Sequence, residues 1–251
     1  RRLRTRDGFE LCLTDDHPVR RVIRKTRYLV ESEWAPAGAL SAGDEVLLHD
    51  HRALEGWAGA HTEAEGYLLG LLIGDGTLKD DKAVISVWAP ELKAVGTEHS
   101  ITSHGASTVM RAAEAAAATL PHRADFKGFQ RPIAGRGEAR LASAPLRDLA
   151  LQLGARPGHK TLTPAMETGS SDFCRGLLRG LFDADGSVQG SQDKGGSLRL
   201  SQADLARLEA AQRMLLRLGI ASTIYADRRA AQRQRDDAGK RGAFIDQLHI
   251  V

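Results

Sequence analysis

Two aspartates in this chain, Asp75 and Asp185, each end an apolar run and are each followed by glycine; they lie 110 residues apart. The runs are residues 68–76, LLGLLIGDG, and residues 178–186, LRGLFDADG. Both runs are typical of helices, and a carboxylate at a helix C-terminus is disfavoured unless a positive charge offsets the partial negative charge there. Two such acids at equivalent places in a repeated segment indicate a shared cation.

Small residues spaced four apart lie on one face of each predicted helix. Glycine inside a helix costs about 1 kcal/mol relative to alanine, and close contact between the two helices would offset this cost. The pattern therefore predicts that the helices pack together and bring the two aspartates to a common end. The alternative is two ordinary core helices with glycine caps. The small residues are Gly70 and Gly74 in the first run and Gly176, Gly180 and Ala184 in the second.

These segments resemble the motifs of the LAGLIDADG homing endonucleases. The second run is close to the family pattern, whereas the first has Ile73 and Gly74 where the family usually has Asp and Ala. Because Ile73 is the counterpart of Asp183, we expect Asp183 to be structural. The resemblance implies an α+β fold of two duplicated αββαββ(α) halves, residues 66–158 and 159–251, the second without its C-terminal helix. It also implies a DNA-binding saddle of two antiparallel sheets and a monomer with internal pseudo-two-fold symmetry.

The resemblance assigns the chemistry to few residues. Asp75 and Asp185 are expected to bind two or more Mg²⁺ ions, with the backbone carbonyls of Gly74 and Ala184 as further ligands. Paired divalent ions suit phosphodiester hydrolysis because they activate water and stabilise both the phosphorane and the leaving 3′ oxygen. Lys160 stands shortly before the second motif, where the family often places a catalytic lysine that orients water and neutralises phosphate charge. An exposed loop lysine is the alternative.

Alternating strands and basic runs provide the predicted contacts with double-stranded DNA. In residues 197–201, polar side chains alternate with Leu198 and Leu200, which are expected to point inward. A two-stranded ribbon fits the major groove, and arginine can bridge guanine O6 and N7. Basic runs at residues 1–27 and 227–241 favour phosphate contact over a merely solvated face. The residues assigned to DNA are Ser86, Trp88, Ser197, Arg199, Ser201, Arg228, Arg229, Arg233, Arg235 and Lys240.

Residues 1–50 resemble part of the all-β splicing (Hint) domain of an intein. Residues 8–14 alternate as a strand, residues 39–48 are typical of a turn followed by a strand, and Thr14 and His17 match a Thr-x-x-His motif. By that resemblance Thr14 and His17 assist splicing, as hydrogen-bond donor and proton carrier; turn chemistry alone is the alternative. An upstream nucleophile and a terminal His-Asn are absent, so we expect a piece of a longer protein that does not splice by itself.

Composition is that of an ordinary soluble protein, with 42% hydrophobic and 27% charged residues and a net charge of +3. No stretch approaches the roughly 18 apolar residues of a membrane span, and no signal peptide is visible. Cys12 and Cys174 are too far apart for a disulfide framework. We therefore expect a cytoplasmic protein without a membrane partner. Further predicted elements are a linker at 51–65, helices at 107–120, 145–153 and 204–218, and strands at 83–88, 126–141, 221–225 and 244–251.

The leading hypothesis is an intein-encoded, Mg²⁺-dependent, site-specific homing endonuclease that cuts both strands of a long pseudo-palindromic DNA target. Its partners would be that DNA and, in the precursor, the host exteins. The alternative is a DNA- or RNA-binding module or maturase of the same fold that has lost cleavage. A third hypothesis is a splicing element whose endonuclease is decaying.

Overall fold

In the computed structural model the chain divides into two units, residues 1–54 and 55–251. The structure describes residues 1–88, 101–130, 137–191, 195–225 and 247–250. Side chains are described throughout these ranges except at residues 53, 101–104, 191 and 247–250.

The first unit consists of short antiparallel hairpins. Its strands are β1 (Arg2–Arg4), β2 (Glu10–Cys12), β3 (Pro18–Lys25) and β4 (Val30–Pro36), with 3-10 turns at Ala37–Ala39 and His51–Ala53. β1 pairs with β2, and β3 with β4. The strand predicted within residues 8–14 therefore forms only at its centre. The strand predicted after the turn is also shorter than expected, because backbone hydrogen bonds join it to β3 only over residues 45–47.

The second unit combines helices with two antiparallel sheets, in agreement with the α+β prediction. Its elements are α1 (Glu63–Ile73), β5 (Thr77–Leu78), β6 (Ala83–Trp88), α2 (Ile101–Ala117), β7 (Glu138–Ser143), α3 (Ala144–Gln152), α4 (Pro164–Glu167), α5 (Ser171–Asp185), β8 (Gly186–Ser191), β9 (Gly195–Ser201), α6 (Leu205–Arg217), β10 (Ser222–Tyr225) and β11 (Gln247–Ile250). The sheet orders are β5-β6-β7 and β10-β11-β9-β8. Within the described ranges no helix has both the length and the apolar character that crossing a bilayer requires.

The helices α3 and α6 begin and end where local sequence signals place them, whereas α2 spans Ile101–Ala117 instead of the predicted residues 107–120. Ser143 caps α3, and Asp204 caps α6 by accepting from the amides of Ala206 and Arg207. Gly154 and Gly219, just after these helices, adopt φ of +91° and +78°, which a side chain would strain. Residues 126–130 are irregular except for one bridge from Gln130 to β7, so the strand predicted from residue 126 was wrong there. Residues 131–136, 244–246 and 251, also predicted as strand, lie outside the described ranges.

The centre of the second unit is a direct backbone contact between α1 and α5. A Cβ added at Gly70 would lie 2.1 Å from the carbonyl oxygen of Leu177, and one at Gly180 would lie 2.2 Å from that of Tyr67. Gly66 makes the same kind of contact, 2.1 Å from a carbonyl oxygen of α5, and the sequence argument missed it. The predicted close packing of the two glycine faces is therefore confirmed, and both motif aspartates lie at one end of the helix pair.

Within the second unit, the segment before α1 packs against α5 and α6. Trp57 donates its amide to Ser171 Oγ at 2.8 Å and accepts from the Ser171 amide at 2.9 Å. The Arg217 guanidinium on α6 stacks on the indole at 3.7 Å from the ring centroid. Residues that we expected to be linker thus join the start of α5 to the end of α6.

This contact predicts a stability effect for Trp57→Ala. Loss of a partly shielded cation–π pair should lower the free energy of unfolding by about 1–2 kcal/mol. Denaturation followed by circular dichroism at 222 nm reports the second unit, because the α-helices of the described ranges all lie there. Trp34→Ala is a matched control, since Trp34 is comparably exposed and stacks with Arg20 in the first unit. Equal shifts for the two variants would contradict the prediction.

Candidate active site

Asp75 and Asp185 are brought together by the absence of a side chain at Gly74. Gly74 ends α1 and precedes Asp75, whereas Asp185 is the last residue of α5. A Cβ added at Gly74 would lie 3.3 Å from Asp185 Oδ2 and 2.4 Å from Ala184 Cβ. The carboxylate of Asp185 therefore rests against the backbone next to Asp75.

The negative charge of Asp185 disfavours ionisation of Asp75. The pKa of Asp75 is raised, first by partial burial and second by the negative charge of Asp185, while Lys160 opposes both effects. Both acids also stand at helix C-termini, which carry partial negative charge. A divalent cation would relieve this repulsion, and carboxylate oxygens suit Mg²⁺.

The other predicted ligands are backbone carbonyls, and they differ in availability. Ala184 lies in the last turn of α5, where helix carbonyls lack intrahelical donors. The carbonyl of Gly74 already accepts a hydrogen bond from Lys160 at 2.7 Å. Within the described ranges no cluster of three or more His, Cys, Asp or Glu side chains forms a metal site. The residues present therefore fit a magnesium ion only if waters or substrate oxygens complete its shell.

Lys160 holds the end of α1. Its Nζ donates to three backbone carbonyl oxygens, those of Leu72 at 3.1 Å, Gly74 at 2.7 Å and Gly76. Partial burial lowers the pKa of Lys160, as does Arg207, whereas Asp185 and Asp75 raise it. The side chain is thus not an exposed loop lysine. It neutralises the C-terminal carbonyls of the helix that positions Asp75.

Gln202 and Arg207 are site residues that the sequence argument missed. Gln202 Nε2 donates to Asp185 Oδ2 at 2.6 Å. Arg207 donates through Nη1 to Gln202 Oε1 and through Nη2 to the carbonyl of Lys160, both at 2.7 Å. These contacts link Asp185 to the loop that carries Lys160. Their only signal in the sequence is position, because Gln202 directly follows a predicted strand and Arg207 lies in the first turn of the next predicted helix.

Asp183 lies outside this cluster of acids. Its Oδ2 accepts from the Tyr67 hydroxyl at 2.8 Å, and Arg179 approaches it at 3.9 Å. Burial and the contact with Asp183 raise the pKa of Tyr67. Asp183 therefore ties α5 to α1, which agrees with the structural role expected for it.

The predicted DNA-facing residues of the first sheet share one face of β6. Ser86 stands opposite Arg140 of β7, and Trp88 opposite Glu138. Trp88 is 60% exposed, and Arg140 forms an ion pair with Glu138 at 2.6 Å. Arg140 is a further candidate contact that the sequence argument did not include.

In the second sheet, the polar residues of β9 alternate as predicted. Ser197 and Arg199 stand opposite Gln189 and Ser187 of β8, respectively, so one face of the hairpin is polar. Ser201 lies at the strand end and is exposed.

The expectation that both leucines of β9 point into the core was wrong for one of them. Leu200 is fully buried, but Leu198 is 48% exposed. Leu200 pairs with Gly186, directly after α5. Leu198 pairs with Val188, two residues farther along β8, and Val188 is itself 76% exposed. The hairpin extends past the part of the sheet that the buried core covers.

The predicted splicing residues, Thr14 and His17, form a simple turn, and the predicted DNA contacts in the basic run are not described. Thr14 and His17 form a turn, since the His17 amide donates to the Thr14 carbonyl at 3.3 Å, and both side chains are exposed. This geometry is the turn that local sequence chemistry favours. The predicted DNA contacts in the basic run, Arg228, Arg229, Arg233, Arg235 and Lys240, lie outside the described ranges.

The raised pKa of Asp75 predicts a pH-dependent stability effect for Asp75→Asn. The folded state binds this proton more tightly than the unfolded chain, so stability falls as pH rises from the ordinary pKa of the group to its raised value. The loss of folding stability caused by ionised Asp75 is complete above that pH interval and absent below it. We therefore expect Asp75→Asn to raise the melting temperature at about pH 7 and to change it little at about pH 3. Thermal unfolding in EDTA measures the melting temperatures of the variant and the original protein at each pH. Equal shifts at the two pH values would contradict the prediction.

Comparison with known proteins addresses the second motif directly. Residues 172–249 match the family model of a LAGLIDADG-like domain. The matched range begins within α5 and contains Asp185, Gln202 and Arg207. The LAGLIDADG-like domain therefore includes one of the two acids and the side chains that hold it.

Longer relatives match almost the whole chain. The chain is 24% identical, over 97% of its length, to the ribonucleoside-diphosphate reductase NrdEB subunit alpha of Bacillus subtilis strain 168, and equally to that of Bacillus phage SPbeta. It spans 22% of each relative, about a fifth of their length.

Solved structures with a similar backbone include I-DmoI in complex with DNA and Ca, with a TM-score of 0.42. The two sequences are 20% identical, and the match covers 75% of this chain and 83% of I-DmoI. The N-terminal LAGLIDADG domain of WhiA is 16% identical over 80% of this chain and 81% of that one, with a TM-score of 0.39.

Proposed function

We propose that this chain is an intein-encoded, site-specific homing endonuclease that hydrolyses both strands of a long double-stranded DNA target with two or more Mg²⁺ ions. One observation carries the proposal: the glycine faces of α1 and α5 place Asp75 and Asp185 at one end of the helix pair, beside the positive charge of Lys160. The match of residues 172–249 to a LAGLIDADG-like domain supports it.

The order of elements supports two similar halves, residues 66–158 and 159–251. In each proposed half a motif helix ending in Asp-Gly leads into an antiparallel hairpin and then a second helix. We propose that the protein is a monomer with a pseudo-two-fold axis near the α1–α5 contact. The polar faces of β6 and β9 then form the DNA-binding saddle, with Ser86, Trp88, Ser197, Arg199 and Ser201 toward the DNA and the basic run of residues 227–241 on phosphates.

Hydrolysis requires a water oxygen to attack phosphorus while the bond to the 3′ oxygen breaks. Bound divalent ions lower the pKa of water and stabilise charge on the phosphoryl and leaving oxygens. Asp75, Asp185 and the carbonyl of Ala184 would hold them. Gln202 fixes the Asp185 carboxylate, and Lys160 adds positive charge where negative charge develops on the phosphate.

The intein context is proposed from the first unit and from the relatives. Residues 1–50 would be part of a Hint domain, joined by the segment at 51–65, and Thr14 and His17 would assist splicing to the host exteins. The similar segment makes up about a fifth of polypeptides named as reductase subunits. A nuclease-like segment inside a protein named for another activity is expected if the segment is an insertion in its host. Such a nuclease acts in the cytoplasm on chromosomal DNA.

A binding module of the same fold is the second candidate, and one contact favours it. An ammonium group has three donors, and Lys160 uses three contacts on backbone carbonyls. In this arrangement Lys160 has no donor left for a water or a phosphate.

The deciding experiment incubates the full protein and Mg²⁺ with a plasmid that carries its host gene without the intein. We expect one double-strand cut, which disappears with EDTA or when the gene contains the intein. Binding without cutting would support the binding module. Neither binding nor cutting would support a splicing element with a decayed endonuclease.

Binding to the DNA target is expected to weaken steeply with salt. If the basic run and the sheets neutralise six to ten phosphates, affinity should fall by about 10³–10⁵ between 50 and 200 mM salt, because bound phosphates release condensed counterions. Fluorescence anisotropy of a labelled target duplex in EDTA measures this without cleavage. A flat response would contradict a phosphate-contacting surface.

A further inference from the structure

Arg140 lies on a well-supported part of the first sheet. The backbone of Arg140 is paired on both sides, with Ser86 of β6 and, through an isolated bridge, with Gln130. The next residue, Leu141, is fully buried, so the Arg140 side chain takes the opposite face, away from the core. A side chain on a paired strand is positioned more precisely than one on a loop.

The guanidinium of Arg140 is held by Glu138, two residues earlier on the same face. Its Nε donates to Glu138 Oε1 at 2.8 Å and its Nη2 donates to Oε2 at 2.6 Å, so the contact is bidentate. A bidentate pair fixes the plane of the guanidinium as well as its position. The Glu138 side chain is 10% exposed and that of Arg140 is 51% exposed. The carboxylate is thus largely shielded from water, while the guanidinium stays accessible to a ligand.

The contact with Glu138 leaves donors of the guanidinium for another acceptor. Arginine carries five N–H donors in a rigid planar fork, and Glu138 accepts from one on Nε and one on Nη2. Both hydrogens of Nη1 and the second hydrogen of Nη2 remain. Donors on these neighbouring nitrogens match the O6 and N7 acceptors that guanine presents in the major groove. Adenine presents a donor beside its N7 acceptor and cannot satisfy the same fork.

Arg199, on the polar face of the second sheet, has no comparable support. Its Nε donates to Ser197 Oγ at 3.3 Å, which is a single, longer contact with a neutral group. A charged bidentate partner orients a guanidinium more firmly than such a contact does. Of these two arginines, Arg140 is therefore the one whose fork is oriented before a ligand binds, and this lowers the cost of ordering on binding.

We propose that Arg140, oriented by Glu138, recognises a guanine in the major groove of the DNA that lies against the first sheet, and that the pair determines sequence specificity at that base pair. This inference rests on the proposed function, since it requires that the sheets bind a DNA target. Glu138 acts as a positioning residue, and Arg140 makes the contact with the base.

Competition binding, measured by fluorescence anisotropy in EDTA, tests the inference without cleavage. Unlabelled duplexes, each with one substituted base pair, compete with the labelled target from the host gene without the intein. For the original protein we expect a guanine whose replacement by adenine weakens binding by about 5- to 150-fold, the range for one bidentate contact. Arg140→Lys keeps the charge but loses the fork, so it should bind the two duplexes with nearly equal affinity.

Two further variants sharpen the test. Glu138→Gln removes the charge that fixes the fork, so discrimination at the same base pair should fall, while binding to unrelated DNA should strengthen because a negative charge is lost. Arg123→Lys is the matched control. Arg123 also pairs with an acid two residues away, Asp125 at 3.1 Å, but it lies outside the sheets. We expect it to leave discrimination unchanged.

Thermal unfolding confirms that each variant is folded. Equal weakening for every duplex in Arg140→Lys would show a phosphate contact in place of base recognition and would overturn the inference. Unchanged discrimination at every base pair in Arg140→Lys would overturn it as well. Both results leave the nuclease proposal standing, whereas a protein that binds the target no more tightly than unrelated DNA overturns both.

Discussion

Replacing Asp75 or Asp185 with asparagine is expected to slow DNA cleavage by about a thousandfold or more while leaving DNA affinity largely intact. Asparagine keeps the shape of the side chain but removes the negative charge that would hold a divalent ion beside the scissile phosphate. Metal stabilisation of the developing charge is worth several kcal/mol, and each 1.36 kcal/mol is a factor of ten in rate. Affinity should persist because phosphate contacts on the sheets and basic run supply most of it.

Asp183→Asn is the matched control for these variants. It makes the same chemical change on the same helix, two residues before Asp185, and asparagine can still accept the hydrogen bond from Tyr67. We expect near-normal cleavage. Single-turnover rates with Mg²⁺ and anisotropy in EDTA measure the two properties separately. Full-rate cutting by Asp75→Asn or Asp185→Asn would remove that residue from the mechanism.

Alanine at Gly70 or Gly180 is expected to destabilise the second unit by about 3 kcal/mol or more, or to prevent its folding. The added Cβ would lie within 2.2 Å of a backbone carbonyl oxygen of the facing helix, so the helices must separate. Separation would loosen the buried core that the two helices share and move Asp75 from Asp185. For a chain of this size the melting temperature should fall by roughly 6–12 °C.

Gly105→Ala provides the control for helix propensity. Gly105 lies within α2, and a Cβ added there would meet nothing within 4 Å. Alanine is the better helix former, so we expect a gain of about 0.5–1 kcal/mol. Opposite effects of the same substitution at Gly70 and Gly105, measured by thermal unfolding, would isolate the interhelical contact. A neutral Gly70→Ala would contradict the role assigned to the glycine face.

Local signals in the sequence predicted the helices well and the strands less well. Caps and glycines identify α3 and α6, because the groups that end a helix are neighbours in the chain. The strand expected after Gly43 is shorter than predicted, because a strand exists only where a partner pairs with it, and only residues 45–47 of that segment bond to β3. The inward direction of Leu198 failed for a similar reason. Alternation predicts which face a residue takes but not how far the covering core extends.

The amino-acid sequence by itself determined the two motif helices, their glycine faces and the acids at their ends, because a period of four residues and a repeated Asp-Gly are local features. Only the tertiary structure decided which groups surround those acids. Gln202, between β9 and α6, donates to Asp185 and is held in turn by Arg207 of α6, and Lys160 reaches the end of α1 across 88 residues of chain. Such contacts depend on how separate elements pack, and no spacing in the sequence encodes them.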